Sequence, residues 1–272
     1  MILAQLTDTH VKVRGKLAYR KIDTAAHLAR AVATLNALDP QPDLVALTGD
    51  LVDFGKPAEY EHLREILGPL RAPCLLLPGN HDDRGELRAA FPEHDYLPRT
   101  GFLQYATDCG PLRLVALDTV IPMRGDGELC AERLAWLDRT LAAAPERPTV
   151  VMMHHPPFVT GIAHMDKLGL AGKEGFAAVI ARHRQVERII CGHVHRSIQC
   201  RIVHTIASTC PASCHQVALD LRPDGPSAFV LEPPGYQLHQ WIDGAGLITH
   251  TAVIGDFDGP YPFYDAAGRL ID

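Results

Sequence analysis

The sequence predicts an α/β fold built around buried, mainly parallel strands. Five short apolar runs end abruptly in clusters of carboxylate, amide or imidazole side chains. Segments with helical spacing of apolar residues lie between them, and beyond residue 195 shorter runs alternate with Pro/Gly turns. An apolar run bounded by turn residues reads as a strand buried on both faces. Polar groups at its carboxyl end lie where open α/β sheets bind ligands.

The first run, residues 2–6, leads into Thr7-Asp8-Thr9-His10. A polar loop over 11–21 follows; its Tyr19 reads either as a substrate contact or as a ring packed on the next helix. Apolar residues at 25, 28, 29, 32, 35 and 38 have helical spacing, and Asp39-Pro40 ends that helix. A right-handed crossover then reaches the run 44–47, which delivers Thr48-Gly49-Asp50. Residues 58–70 form a second amphipathic helix, and the run 74–77 delivers Pro78-Gly79-Asn80-His81-Asp82-Asp83. The chain from 84 to 100 starts helical and becomes polar and Pro-broken. Strands over 102–107 and 112–118 meet at a Cys-Gly-Pro turn, and Asp118 takes a structural role.

Residues 120–129 form a Gly-rich loop and 131–144 a third long helix. The run 150–153 delivers His154-His155-Pro156. Residues 158–173 read as a long irregular loop carrying His164, of the kind that shapes specificity. A helix over 174–184 precedes the run 186–191, which delivers Gly192-His193-Val194-His195. Strands over 198–201, 203–207, 215–221, 227–231, 236–241 and 247–254 are expected to pair antiparallel. The chain is thus divided into a catalytic body, 1–225, and a C-terminal cap or oligomerisation segment, 226–272. The aromatic, Pro-rich stretch 259–264 is expected to pack on a partner subunit.

At 272 residues and 47% hydrophobic content the chain can bury a large core. Its net charge of −6, without a Lys/Arg run, excludes the basic footprint of a nucleic-acid binder. No segment has the apolar length of a membrane span. A first strand starting at residue 2 leaves no room for a signal peptide, so a cytoplasmic protein is expected. Seven cysteines, an odd number, read as reduced and mostly buried thiols; Cys210 and Cys214 lack the second pair a zinc site needs.

The strand-end clusters, in this order, resemble the calcineurin-like metallophosphoesterases. That family's blocks are Asp-x-His, Gly-Asp, Gly-Asn-His-Asp/Glu, a single His and Gly-His-x-His. Here they read Asp8-Thr9-His10, Gly49-Asp50, Gly79-Asn80-His81-Asp82, His154 and Gly192-His193-Val194-His195. The likeness spans residues 1 to about 200, and its force lies in the ordered set, since one block alone is weak. Within the superfamily the chain is similar to the bacterial glycerophosphodiesterase and cyclic-nucleotide phosphodiesterase group. It shares with them Met153-His154-His155-Pro156-Pro157 and the late His215-Gln216. The resemblance implies a four-layer αββα sandwich.

It also implies two divalent cations, Fe, Mn, Co or Zn. One would be held by Asp8, His10, Asp50 and His195, the other by Asp50, Asn80, His154 and His193, with Asp50 bridging. Mixed carboxylate, imidazole and amide donors suit such borderline ions. Asn80 offers only a neutral oxygen, so the second ion is expected to bind less tightly. His81, directly after a ligand, is expected to face substrate and to protonate the leaving group, acting with Asp50 in catalysis. His215 resembles a second substrate-facing histidine, and Asn80 and Tyr19 complete the substrate-binding set. Asp82 and His155 are expected to orient ligand imidazoles.

The implied activity is hydrolysis of small phosphodiesters, either glycerophosphodiesters or 3′,5′-cyclic nucleotides, by in-line attack of a metal-bridging hydroxide. Ser/Thr phosphatases of the superfamily carry Arg where Phe54 stands and Glu where Asp82 stands, which argues against phosphoprotein substrates. A phosphomonoesterase or broad monoester/diester hydrolase is an alternative, as is a nuclease, which the acidic balance disfavours. A non-catalytic scaffold is the remaining one, although such relatives lose ligands that this chain keeps. The resemblance and the strand-rich C-terminal region point to a homo-oligomer.

Overall fold

A computed structural model describes residues 1–271. Three apolar runs form the parallel centre of the first sheet: β1 (Ile2–Leu6), β2 (Leu44–Thr48) and β3 (Cys74–Leu77). Between them run α1 (Thr24–Asn36) and α2 (Pro57–Leu67), and α3 (Arg84–Ala90) follows. The helix starts are chemically specified. The Asp23 carboxylate accepts from the Ala26 N–H at α1, and Asp83 accepts from Gly85 and Glu86 at α3. Pro57 opens α2, where a missing N–H costs no helical bond.

The remaining elements are β4 (Tyr105–Cys109), β5 (Leu112–Leu117), β6 (Gly127–Glu128), α4 (Ala131–Ala142), β7 (Thr149–Met153), α5 (Ala163–Asp166) and β8 (Leu170–Ala171). Then come α6 (Lys173–Arg182), β9 (Val186–Cys191), β10 (Ile198–Ile202), β11 (Thr205–Thr209), β12 (Gln216–Val217), β13 (Phe229–Val230), β14 (Gly235–Ile242) and β15 (Gly246–Val253). The second sheet has the order β10-β11-β9-β7-β5-β4, with β5, β7, β9 and β11 parallel.

Period-2 alternation puts this second sheet between two apolar layers. Leu114, Ala116, Val150, Met152 and Ile190 join the core of the first sheet. Val115, Leu117, Val151, Met153 and Ile189 pack instead with Leu137 and Leu141 of α4 and Phe176 and Ile180 of α6. The result is four layers, helix–sheet–sheet–helix. Phe176 is fully buried, so truncating it to Ala costs about 3–5 kcal/mol.

The expected division at residue 225 does not separate two bodies. The β14–β15 hairpin extends the first sheet, with β14 antiparallel to β1 from Ile2↔Gln240 to Gln5↔Gln237. It covers the edge of β1, which would otherwise present unpaired backbone groups. Buried His239 adds a bond from its Nε2 to Gln5 Oε1, 3.1 Å. Other boundaries move too. The strand read over 102–107 runs over Tyr105–Cys109, and those over 215–221 and 227–231 shrink to β12 and β13. Loops 120–129 and 158–173 are tied together by β6–β8 pairing and the turn of α5.

The parallel strands of both sheets place their carboxyl ends on one rim. β1, β2 and β3 bring Asp8, His10, Asp50, Asn80 and His81 there; β7 and β9 bring His154, His193 and His195.

Candidate metal centre

All seven expected ligands converge on that rim. Asp50 Oδ2 lies 3.3 Å from His154 Nε2 and 3.7 Å from His10 Nε2. His10 Nε2 is 3.2 Å from His195 Nε2, which is 3.3 Å from Asp8 Oδ1. On the other side Asn80 Oδ1 is 3.2 Å from His154 Nε2 and 3.1 Å from His193 Nδ1. Asp50 therefore stands between the two groups of donors.

The backbone is bent to achieve this. Asp8, His10, Asp50, His193 and His195 all have positive φ, between 44° and 70°. For non-Gly residues that region costs of order 1 kcal/mol each, and such strain collects at functional sites. Specific bonds hold it: Asp8 N–H to Gly49 O at 3.0 Å, His10 N–H to Asp50 O at 2.9 Å, and Gly192 N–H to His154 O at 3.0 Å. The motif glycines are spatial requirements. A Cβ on Gly79 would overlap the Asp50 carboxylate, and one on Gly192 would overlap the Thr7 hydroxyl.

Backbone carbonyls fix the imidazole tautomers, because a carbonyl can only accept. His154 Nδ1 donates to Thr48 O (2.9 Å), His195 Nδ1 to His215 O (3.0 Å) and His193 Nε2 to Leu168 O (3.0 Å). In the neutral ring the other nitrogen is thereby turned to the cluster as a lone pair. His10 Nδ1 faces the Asp53 carboxylate, with Oδ1 at 3.3 Å, and burial lowers the pKa of this imidazole. His81 donates from Nδ1 to Asp53 O (2.7 Å), and its N–H donates to Asp50 Oδ1 (2.9 Å).

Electrostatics agree with a cation-binding cluster. Burial opposes charge on Asp8, but His195 and His154 hold its carboxyl down to about 2. Asp50 is likewise driven well below the carboxylate range against burial, by His154 and His81. Burial also opposes charge on His154, yet Asp50 and Asp8 raise it to about 9, and His195 is raised in the same way by Asp8. Burial, then the neighbouring His154, lowers His193 to about 4. Carboxylates and imidazoles with fixed lone pairs at this spacing are a donor set that borderline divalent cations fit.

Two expectations about supporting residues change. Asp82 touches no imidazole. It accepts from the N–H groups of Gly79, Leu51 and Val52 and from the Tyr60 hydroxyl, clamping the two motif loops together. Burial and the Asp50 charge push it up to about 7. His155 accepts from the Thr119 hydroxyl at Nδ1 (2.8 Å) and donates from Nε2 to Gly125 O (3.2 Å), so it anchors loop 120–129. It meets His193 only by ring contact, 4.4 Å between centroids. Asp118 is structural, in a bidentate pair with Arg84 at 2.6 and 2.8 Å.

A cleft of about 380 Å³ opens over the cluster, and Tyr19, His81, His164, His215 and Phe229 line it. Tyr19 is thus at the cleft and not packed beneath a helix. Phe229, Leu168 and Asp53 were missed as site residues. Asp53 alone carried a signal, an acid three residues beyond Asp50 in the same loop.

An αββα sandwich with this donor set on its strand ends is the architecture of a metallophosphoesterase. The chain belongs to the calcineurin-like phosphoesterase family, whose family model matches residues 1–197. It is 42% identical to a protein of Arcobacter nitrofigilis named "probable glycerophosphodiester phosphodiesterase", over 100% of both chains. It is 37% identical to a "probable cyclic nucleotide phosphodiesterase" of Rhodopseudomonas palustris, covering 94% of this chain and 93% of that one. Among solved structures, a dimetal phosphatase of Danio rerio matches with a TM-score of 0.61 at 14% identity, over 94% of this chain and 99% of the other. That last likeness is one of fold. No helix among the described residues is long and apolar enough to cross a membrane.

Proposed function

We propose that the protein is a binuclear-metal phosphodiesterase acting on small diesters, glycerophosphodiesters or 3′,5′-cyclic nucleotides. The position of the Asp50 carboxylate between His10 and His154 carries this reading. Asp8, His10, Asp50 and His195 would hold one cation, and Asp50, Asn80, His154 and His193 the other. Bound Fe, Mn, Co or Zn would supply Lewis acidity, activating water and neutralising phosphate oxygens. The names of the full-length relatives support the diester class.

The side chains divide the remaining work. His81 is the proton donor to the departing alkoxide. Its Nδ1 is committed to Asp53 O, so Nε2 carries the mobile proton. Burial disfavours its charge, but Asp50 and Asp53 together raise it, which keeps an acid available near neutrality. Asn80, His215 and Tyr19 line the substrate side of the cleft. Among the described residues lining that cleft none is Lys or Arg. Arg84 lines the adjacent one, but its Nε and Nη2 are engaged by Asp118. A singly charged diester suits such a cleft better than a dianionic monoester. Rates on bis(p-nitrophenyl) phosphate and p-nitrophenyl phosphate with Mn²⁺ decide between them; faster monoester turnover overturns the diester reading.

The same reading includes a cytoplasmic homo-oligomer. Exposed Phe257, Tyr261, Phe263 and Tyr264 on the C-terminal tail support assembly. Light scattering on the full chain and on one ending at residue 255 tests it; a monomeric full chain sinks that part alone.

A further inference from the structure

The mouth of the cleft carries an aromatic step. Tyr19 and Phe229 stack with ring centroids 4.9 Å apart and planes 29° from parallel. His215 meets both edge-on, at 5.3 Å from Tyr19 and 5.4 Å from Phe229. The rings come from distant segments, and each is fixed by backbone. Tyr19 and Arg20 both adopt positive φ, 49° and 58°. Phe229 pairs with Val217 in the short β12–β13 ladder, two residues beyond His215. The His215 carbonyl in turn accepts from the expected ligand His195. The step is therefore held in register with the metal-binding cluster.

Its surface is available. Tyr19 is 57% exposed and Phe229 36%. Leaving two stacked rings wet has a hydrophobic cost that a covering ligand would relieve. The neighbouring cleft differs, although it shares Asn80 and His81 with this one. Its aromatic ring, Phe54, has Lys12 Nζ at 4.0 Å and Lys56 Nζ at 5.2 Å from the centroid, so ammonium groups occupy its faces. At the Tyr19–Phe229 step, Asp50 is the only acidic residue in the cleft wall and no Lys or Arg lines it, among the described residues. The two rings stack on each other without a gap between them, so they form a flat wall and not a cage.

We propose that Phe229, seated on Tyr19, is a specificity-determining residue that binds a flat, uncharged ring on one ester arm of the substrate by stacking. This rests on the phosphodiesterase reading and refines it. The preferred diesters would carry a nucleobase or aryl ring rather than a small alkyl or quaternary ammonium group.

The test is calorimetric binding to the Mn²⁺-loaded full chain, with three non-hydrolysable, singly charged diester mimics: methyl(phenyl)phosphinate, dimethylphosphinate and methyl[2-(trimethylammonio)ethyl]phosphinate. The parent should bind the phenyl probe about tenfold more tightly than the methyl probe, the scale of one ring stacked on an aromatic side chain. Phe229→Ala and Phe229→Leu should both lose most of that preference and leave dimethylphosphinate affinity unchanged. The Leu variant preserves apolar cover for the β12–β13 ladder, so its loss would report the ring face and not misfolding. Phe54→Leu should retain the preference. Equal affinities in the parent, a preference that survives in Phe229→Leu, or dependence on Phe229 of the trimethylammonio probe instead would overturn the proposal. Turnover of bis(p-nitrophenyl) phosphate is measured separately. Its absence in the parent would remove the underlying phosphodiesterase reading whatever the probes do.

Discussion

The Asp53 carboxylate serves two partners at once: Oδ1 lies 3.3 Å from His10 Nδ1 and Oδ2 lies 2.5 Å from Lys12 Nζ. It is the carboxylate behind the imidazole of a proposed ligand, the place where metal sites set ring orientation and basicity. Burial opposes its charge, but His10 and Lys12 hold it down to about 2. Asp53→Asn should weaken the first cation by about 10–100-fold, the usual effect of such supporting groups. Isothermal titration of apo-protein with Mn²⁺ reads this directly; an unchanged tighter affinity contradicts it.

Asn80 is the only neutral oxygen donor among the proposed ligands. Two separated binding affinities are expected in the parent, and Asn80→Asp should tighten the weaker one. An added unit charge near a divalent cation is worth about 1–2 kcal/mol even at the dielectric of water, or roughly tenfold. One shared binding step in the parent would count against the assignment.

His81 meets the proposed cation donors through its backbone N–H on Asp50 and an edge-on ring contact with His10, 4.7 Å between centroids, and neither places a ring nitrogen on a cation. His81→Ala should lower kcat for diesters by about 10²–10⁴-fold, the range for a lost general acid, with both cations retained. Metal analysis of the purified variant separates the roles. Loss of metal together with activity would make His81 a structural support.

Acid sensitivity has a source remote from the site. Burial, then Arg188, lowers buried His239 from its ordinary 6.5 to about 3. Between those values the unfolded chain binds the proton and the fold does not. Stability is therefore present above pH 6.5 and is lost as pH falls through that window, by up to about 1.4 kcal/mol per pH unit. His239→Gln, which can keep a bond to Gln5, should flatten the decline by up to one proton. Urea midpoints from pH 7 to 4.5 test this; parallel curves for parent and variant would contradict it.

The layered fold was legible because buried parallel strands leave uninterrupted apolar runs such as Val150 to Met153, and each run ends where a proposed ligand stands. The C-terminal hairpin was misread because alternation in residues 236–253 identifies strands but not the sheet they join. Only β1's open edge decides that. At the site, side chains announced themselves, whereas the groups that aim them did not. The carbonyls of Thr48, Leu168 and His215 have no residue signature, and Phe229 is brought to the cleft by a two-residue ladder too short to read. Asp82 and His155 sit beside ligands in the chain yet spend their bonds on loop backbone and hydroxyls.

The proposed sharing of Asp50 by two cations is most directly examined by anomalous diffraction at the manganese edge from crystals grown with Mn²⁺. Two peaks about 3.5–4 Å apart, the spacing of two-metal sites, with the Asp50 carboxylate reaching both, are expected. No peak, or a pair of which Asp50 contacts at most one, would contradict it.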